Sequence, residues 1–219
     1  MQLNRLALIV AFAGAITSAA VPAHGAPGPT AAPFPSSVAR ASFTTCPIGV
    51  SRPDGTQCVD TFVAAFVPQQ HGNSPSSAAM VSFFQVTYIW PNILLPFESA
   101  IVGQGPGTLS VRANMSSASA TARLDLQDCT DLSTCSPRGP ATISVAWQAT
   151  GPVTNNLPQG SRTSDFLFLS AGRSQSRLAS SVINAEDIPV PGVQTVDDNF
   201  IAQANDVHLC VAFSEQPCF

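Results

Sequence analysis

The sequence contains no lysine, and only 10% of its 219 residues are charged, with a formal net charge of −4. Proteins that bind nucleic acid use clustered lysine and arginine to neutralise phosphates, and anionic membrane surfaces attract clusters of the same kind. The sequence has no such cluster. We therefore expect neither nucleic acid nor an anionic membrane surface as a partner.

Long apolar runs are absent apart from one near the N-terminus. Arg5 precedes an apolar stretch from Leu6 to Ile16, and small residues follow as far as Gly25. This order is typical of a cleavable export signal, and the stretch is shorter than the roughly 20 residues of a membrane-spanning helix. The sequence predicts a signal peptide over 1–25, no membrane span, and a secreted, extracellular product.

The next segment, residues 26–41, is rich in proline, alanine and serine and carries one charge, Arg40. Such a composition buries too little apolar surface to offset the entropy lost on ordering. It predicts a linker. The remaining residues, 42–219, fit a single domain, because all-β domains reach this length on one core.

Cysteine is present in an even number, which indicates disulfide bonds in an exported chain. Pairing sequence neighbours would join Cys46 with Cys58, Cys129 with Cys135, and Cys210 with Cys218, although six cysteines allow 15 pairings. Zinc is the rival interpretation. It is disfavoured because the sequence has no Cys-x-x-Cys and few histidines.

No long stretch keeps the helical period of 3.6, whereas several segments alternate apolar and polar residues with the period of a half-buried strand. The clearest are 118–127, 142–150 and 207–213. Further strands are predicted over 59–67, 80–90, 107–113, 165–170 and 177–184, with turns at Pro/Gly clusters such as Gln104–Gly107. The pattern predicts an all-β antiparallel sandwich, jelly-roll or immunoglobulin-like, with a β-barrel as the alternative.

The face of the predicted strand that carries Phe84, Val86, Tyr88 and Trp90 is aromatic. Aromatic platforms of this kind stack on sugar rings in some proteins. On a half-buried strand, however, such residues usually form the core. We expect this face to be core.

Two candidate sites use acidic residues near strand ends. Asp125, Asp128 and Asp131 are close in sequence, and calcium prefers clustered oxygen ligands, although aspartate is also common in turns. Calcium is the one cofactor that the sequence suggests. Asp206 and His208 project from the same face of one predicted strand, where a carboxylate could orient a histidine as a general base.

A carbohydrate hydrolase would need two carboxylates flanking the scissile bond. Five acidic residues in predicted loops could supply such a pair: Glu98, Glu186, Asp187, Asp197 and Asp198. No serine lies in a Gly-x-Ser-x-Gly nucleophile elbow.

The segment Trp147-Gln-Ala-Thr-Gly151-Pro152 follows the Cys129/Cys135 turn. In this segment the chain resembles a group of uncharacterised exported bacterial β-rich proteins that carry a similar stretch after a cysteine pair. The resemblance implies secretion and a β-rich fold, and it implies no activity and no site residues.

Two functions follow as hypotheses. The first is a secreted, non-enzymatic binding or structural module that contacts an extracellular ligand or protein through loops at one end. The alternative is a secreted, carbohydrate-directed hydrolase that uses loop carboxylates and His208. We favour the first, because the sequence lacks a nucleophile motif, a metal cluster and a cofactor signature.

Overall fold

The computed structural model of the chain describes residues 36–67, 79–91, 97–130, 134–155, 167–171, 174–195, 198–204 and 207–211. Within these ranges nearly all regular structure is β-strand, and a short 3-10 turn spans Ala113–Met115. The strands are β1 (Ser36–Thr44), β2 (Gln57–Val67), β3 (Ala79–Ile89), β4 (Ser99–Val111), β5 (Ser117–Cys129), β6 (Cys135–Ala149), β7 (Thr154–Asn155), β8 (Leu167–Ala171), β9 (Ser174–Ala185), β10 (Val193–Gln194), β11 (Phe200–Ala204) and β12 (Val207–Val211).

The prediction of an all-β, antiparallel fold is confirmed. Ten strands form one sheet, and β8 and β12 form a separate two-stranded sheet. β1 pairs with β2 along one edge and with β11 and then β10 along the other. Because of this double pairing, eight of the ten strands follow one another in a closed ring of antiparallel pairings, in the order β1, β11, β9, β6, β5, β4, β3, β2.

The main core is formed by alternate residues that face the inside of this ring. β5 contributes a row of small side chains, Ala118, Ala120 and Ala122, followed by the larger Leu124 and Leu126. The large side chains of Phe83 on β3 and Trp147 on β6 belong to the same cluster. Small and large side chains thus share one interior, as expected where a curved sheet packs on itself.

A second apolar cluster lies on the opposite face of β2, β3 and β4. It contains Phe62, Phe84, Val86 and Tyr88, and Trp90 packs against it partly exposed. The expectation that the aromatic face of β3 is core is therefore confirmed for its first three residues. Both faces of β2 and β3 are buried over much of their length, which leaves the outer face of β5, β6 and β9 as the exposed polar part of the sheet.

Two of the three predicted disulfides are present. Cys46 pairs with Cys58 and closes the loop between β1 and β2, and Cys129 pairs with Cys135 across the turn between β5 and β6. Cys210 lies in β12, while Cys218 lies outside the described residues. The third pairing stays a prediction. Among the residues that the structure describes, no helix is long and apolar enough to cross a membrane.

The predicted linker is wrong at its C-terminal end, because β1 begins at Ser36. Val38, Ala39 and Ala41 are buried in this strand, and even Arg40 is only 1% exposed. Alanine and serine contribute little apolar area, which is why the composition indicates a linker. Their small size instead lets β1 fit between β2 and β11. Residues 26–35 lie outside the described part of the chain.

The predicted turn at Gln104–Gly107 is also wrong, because β4 continues through it. The β4–β5 pairing is interrupted between Val102 and Gly107, so Pro106, which has no N–H to donate, breaks no bond there. Glycine is required at position 107 because the backbone of β4 lies very close to β5 there. A β-carbon at Gly107 would lie 2.6 Å from the carbonyl oxygen of Thr121.

A buried polar network bridges the gap between β11 and β10 on the edge of β1. The Asn199 side chain accepts a hydrogen bond from the Ser42 N–H (3.1 Å) and donates to the Ser42 carbonyl (3.1 Å), as a neighbouring strand would. The Trp147 indole N–H donates to the Arg40 carbonyl at 2.7 Å. The Arg40 guanidinium lies 3.7 Å from Asp198 and over the ring of Phe62. Burial lowers the pKa of Arg40 to about 10, and the charge of Asp198 opposes that change.

Candidate functional site

A shallow depression open to solvent lies on the outer face of the sheet where β4, β5, β6 and β9 run side by side. Its volume is about 480 Å³. The lining combines apolar surface with polar side chains, and those at least partly exposed for hydrogen bonding are Ser110, Arg112, Ser117, Ser119, Gln148 and Ser180.

Strand register brings these side chains together in two rows. In the first row Ser110 on β4 pairs with Ser119 on β5, Ser119 pairs with Ala146 on β6, and Ala146 pairs with Val182 on β9. In the second row Ser117, Gln148 and Ser180 follow in the same way. Neighbouring strands are about 4.8 Å apart, and rows two residues apart are separated by about 6.7 Å.

The polar residues face outward because the residues between them face the core. Ala118 and Trp147, which separate the two rows on β5 and β6, are both buried. Val182, in contrast, is 72% exposed and gives the floor an apolar contact surface beside Ala146. The depression therefore combines hydroxyl and amide groups, which both donate and accept hydrogen bonds, with small aliphatic surfaces.

Arg112 contributes the only charged side chain to the lining. Its backbone is held by two hydrogen bonds at the turn between β4 and β5: the Arg112 N–H donates to Ser117 O at 2.9 Å, and the Met115 N–H donates to Arg112 O at 3.0 Å. Nearby, Arg177 donates from Nε to Gly151 O and from Nη1 to Asn114 O. Arg177 is fixed by these two bonds, and its side chain leaves β9 on the face opposite to Ser180 and Val182.

The acid–histidine pair predicted from sequence lies largely outside the described residues. The backbone of His208 lies in β12, opposite Ser170 of β8, so this part of the strand prediction is confirmed. Asp206 lies outside the described residues, and so does the His208 side chain. Their role as a catalytic pair stays a prediction.

The calcium candidates are not brought together as far as the structure describes them. Asp125 and Asp128 are three positions apart on β5, so their side chains leave the strand on opposite faces. Asp128 instead accepts a hydrogen bond from Arg138 at 2.9 Å, and Asp131 lies outside the described residues. In the described part of the chain, no group of three or more histidine, cysteine, aspartate or glutamate side chains could hold a metal ion.

Three of the loop carboxylates that the hydrolase hypothesis needs have other partners in the structure. Glu98 accepts a hydrogen bond from Gln57 at 2.7 Å, Asp198 is paired with Arg40, and the Thr142 N–H donates to Glu186 at 3.1 Å. The hydrogen bonds from Thr142 lower the pKa of Glu186. Asp187 lies in a turn with φ of 59°, and Asp197 lies outside the described residues.

No family model, curated protein or solved structure matches the chain. We therefore infer its function from its own geometry. The segment Trp147–Pro152 has structural contacts in this fold. Trp147 is buried and bonds to β1, the Thr150 N–H donates to Leu178 O at 2.8 Å, and the Gly151 carbonyl accepts from Arg177. These contacts fix the C-terminal end of β6 beside the depression.

Sequence reasoning missed both the serine-lined depression and Asp60. Asp60, on β2, accepts hydrogen bonds from the Thr44 hydroxyl at 2.5 Å and the Tyr88 hydroxyl at 3.3 Å. Burial raises the pKa of its carboxyl above the ordinary 3.8, and these hydrogen bonds together with the charge of Arg52 oppose the rise. Thr44 also accepts a hydrogen bond from the Cys46 N–H, so Asp60 contributes to the fixed geometry of the first disulfide.

The raised pKa of Asp60 gives a prediction for stability against pH. The pKa of Asp60 is higher in the folded state than in the unfolded state, so at pH values between the two the folded state binds more protons. The free energy of unfolding therefore falls as pH rises through this range above 3.8. Asp60→Asn removes this titration. We expect the thermal midpoint of Asp60→Asn to rise relative to the parent as pH increases from about 3 to 7.

Asp54, an exposed acid in the loop that precedes β2, offers the matched control, because Asp54→Asn removes one negative charge and leaves the hydrogen bonds of Thr44 and Tyr88 to Asp60 in place. An equal pH-dependent gain in Asp54→Asn would assign the effect to net charge and not to the buried carboxyl. A parallel pH profile for Asp60→Asn and the parent would show that the Asp60 carboxyl does not titrate differently in the folded state.

Proposed function

We propose that the mature chain is an exported, non-enzymatic binding module that holds a hydroxyl-bearing ligand, such as a segment of a polysaccharide, in the depression on β4, β5, β6 and β9. The observation that carries this proposal is the two rows of outward side chains, in which four serines and Gln148 surround the exposed surfaces of Ala146 and Val182. Saccharides present hydroxyl groups around the ring and aliphatic C–H surfaces, which match such a lining.

Export is supported by the N-terminal pattern of the sequence and by the two disulfides, because disulfides persist in oxidising compartments. The closed ring of strand pairings supports the β-barrel alternative over the sandwich. A ring of this kind holds the outward side chains in a fixed arrangement. The protein therefore loses less conformational entropy when a ligand binds.

Binding without hydrolysis is supported by the lining of the depression. It contains hydrogen-bonding groups, and none of the acidic residues in the described part of the chain belongs to it. Retaining and inverting glycosidases both place two carboxylates beside the scissile bond. A carbohydrate-directed hydrolase using His208 and loop acids is the alternative, and it would require the ligand to bind elsewhere.

The proposal predicts the effect of filling the depression. Ser119 lies at the centre of the first row and is exposed on β5. Ser119→Trp should lower oligosaccharide affinity at least about tenfold, which corresponds to about 1.4 kcal/mol of binding free energy. The measurement is titration calorimetry with tetrasaccharides derived from cellulose, xylan, mannan and galacturonan. An open site encloses little of its ligand, so we expect a parent dissociation constant on the order of 1 mM.

Thr121→Trp is the matched control, because Thr121 is the next outward residue on β5 and lies outside the lining of the depression. It adds the same bulk to the same face. Equal loss of binding in both variants would place the ligand elsewhere on the face. Failure of the parent protein to bind any of the tetrasaccharides would contradict the proposal.

A further inference from the structure

The charges around the depression are strongly one-sided. Its lining contains one positive side chain, Arg112, and no acidic side chain. Arg177 does not add to this charge, because it is three residues from Ser180 on β9 and its side chain leaves the strand on the opposite face, where it bonds to Gly151 O and Asn114 O. The chain as a whole is acidic, with a net charge of −4, so the positive charge of the lining is not a consequence of general composition.

The described acidic residues lie away from the depression. At the disulfide end of the sheet, Cys129 pairs with Ala100 and Cys135, and Asp60, Glu98 and Asp128 are located near these pairs. Glu186 lies four residues after Val182, which is about 13 Å in an extended strand, and its carboxylate accepts a hydrogen bond from the Thr142 N–H. Asp125 is the nearest acidic residue on the outward face of β5. It is six residues from Ser119, which is about 20 Å along a strand. The Debye length is about 10 Å at 0.1 M salt, so the charge of Asp125 is largely screened at the depression.

From this charge distribution we infer that the ligand is an acidic saccharide, and that Arg112 binds its carboxylate while the serine rows bind its hydroxyl groups. The inference rests on the proposed function and specifies its ligand class. A guanidinium offers two parallel N–H donors that match a carboxylate, which makes arginine better suited to this contact than a neutral amide. The serines alone would bind neutral and acidic sugars alike.

The test compares two forms of one oligosaccharide that differ only in charge. Tetragalacturonate carries carboxylates, and its methyl ester is neutral. The parent protein should bind the acid form about fivefold more tightly than the ester at low salt, and about 0.2 M salt should reduce this difference. Arg112→Gln should weaken binding of the acid form about fivefold, about 1 kcal/mol, and weaken binding of the ester by a smaller factor.

Arg123→Gln is the matched control. Arg123 is exposed on the same face of β5, four residues and about 13 Å from Ser119, and it does not belong to the lining. This variant should retain the parent's preference for the acid form. If Arg123→Gln loses the preference as fully as Arg112→Gln does, the carboxylate is not bound at Arg112.

Three further results separate the failure of this inference from the failure of the proposed function. Equal affinity for acid and ester, with both abolished by Ser119→Trp, would overturn the acidic ligand and leave the binding site in place. Equal affinity for tetragalacturonate and for tetraglutamate, an acidic peptide, would show that the site does not select a saccharide. Absence of binding to either form of the saccharide would overturn the inference and the proposed function together.

Discussion

Trp147→Ala is expected to lower the free energy of unfolding by about 4 kcal/mol, the largest effect of any substitution considered for this protein. Trp147 is 2% exposed and belongs to the interior cluster of the ring. Truncation leaves a cavity among neighbours such as Ala118, which are too small to fill it. The Arg40 carbonyl on β1 also loses its hydrogen bond from the indole. β6 and β1 are not neighbours in the ring, so this bond spans the interior.

Two further variants separate the contributions of Trp147. Trp147→Phe keeps most of the volume and removes the N–H donor, so we expect about half of the alanine effect. Trp90→Ala removes the other tryptophan of the chain, which is partly exposed and stacked under Arg52 at 4.6 Å. It should cost about 1 kcal/mol. Urea unfolding followed by far-ultraviolet circular dichroism gives all three values. Similar decreases in the free energy of unfolding for Trp147→Ala and Trp90→Ala would contradict the placement of Trp147 in an enclosed interior.

Asn199→Ala is expected to lower the free energy of unfolding by about 3 kcal/mol. Asn199 is fully buried, and its amide makes hydrogen bonds to the Ser42 backbone on both sides, to the Ser181 hydroxyl at 2.6 Å and to the Thr195 carbonyl at 2.5 Å. Alanine removes all of these bonds. It leaves the buried Ser42 N–H without its acceptor, at about 1–3 kcal/mol for an unsatisfied group, whereas the Ser42 carbonyl still accepts a hydrogen bond from the Thr195 N–H at 2.9 Å.

The local readout for Asn199 is hydrogen exchange at the Ser42 amide. This amide should exchange faster in Asn199→Ala, because its acceptor is the Asn199 side chain. Asn184→Ala is the control. Asn184 is exposed on β9, and its replacement should change stability by less than about 0.5 kcal/mol. Unchanged exchange at Ser42 in Asn199→Ala would show that Asn199 does not complete the β1 ladder.

Strands with one wet face could be predicted from their alternation, whereas among the strands buried on both faces the sequence predicts β2 and β3 and does not predict β1 and β11. The alternation over 118–127 and 142–150 correctly indicates β5 and β6. β11 has no alternation, because Phe200, Ile201 and Ala202 are all buried. β1 combines buried alanines with a buried arginine, a composition that indicates a linker when burial is not known. Glycine and proline in β4 indicate a turn, whereas they fit a strand that lies close to its neighbour.

The candidate site was less predictable than the fold. Outward serines on β5 follow from the alternation, but the depression also requires β4, β6 and β9 as neighbours in a particular register. Ser180 and Ser117 are far apart in sequence and are both brought to Gln148 by strand pairing. Acidic residues and histidine are the residue types of catalysis, so they stand out as candidates in a sequence. A binding surface of serines has no comparable signature in a single sequence.

The central claim is that the ligand lies on the outer face of β4, β5, β6 and β9. Backbone amide shifts recorded by NMR during titration of the disulfide-intact protein with tetragalacturonate test it most directly. We predict that the largest shifts cluster at Ser110–Ser119, Ala146–Gln148 and Ser180–Val182, and that Ser119→Trp abolishes them. Shifts centred instead on the disulfide-closed loop between Cys46 and Cys58, or no saturable shifts in the sheet, would contradict the claim.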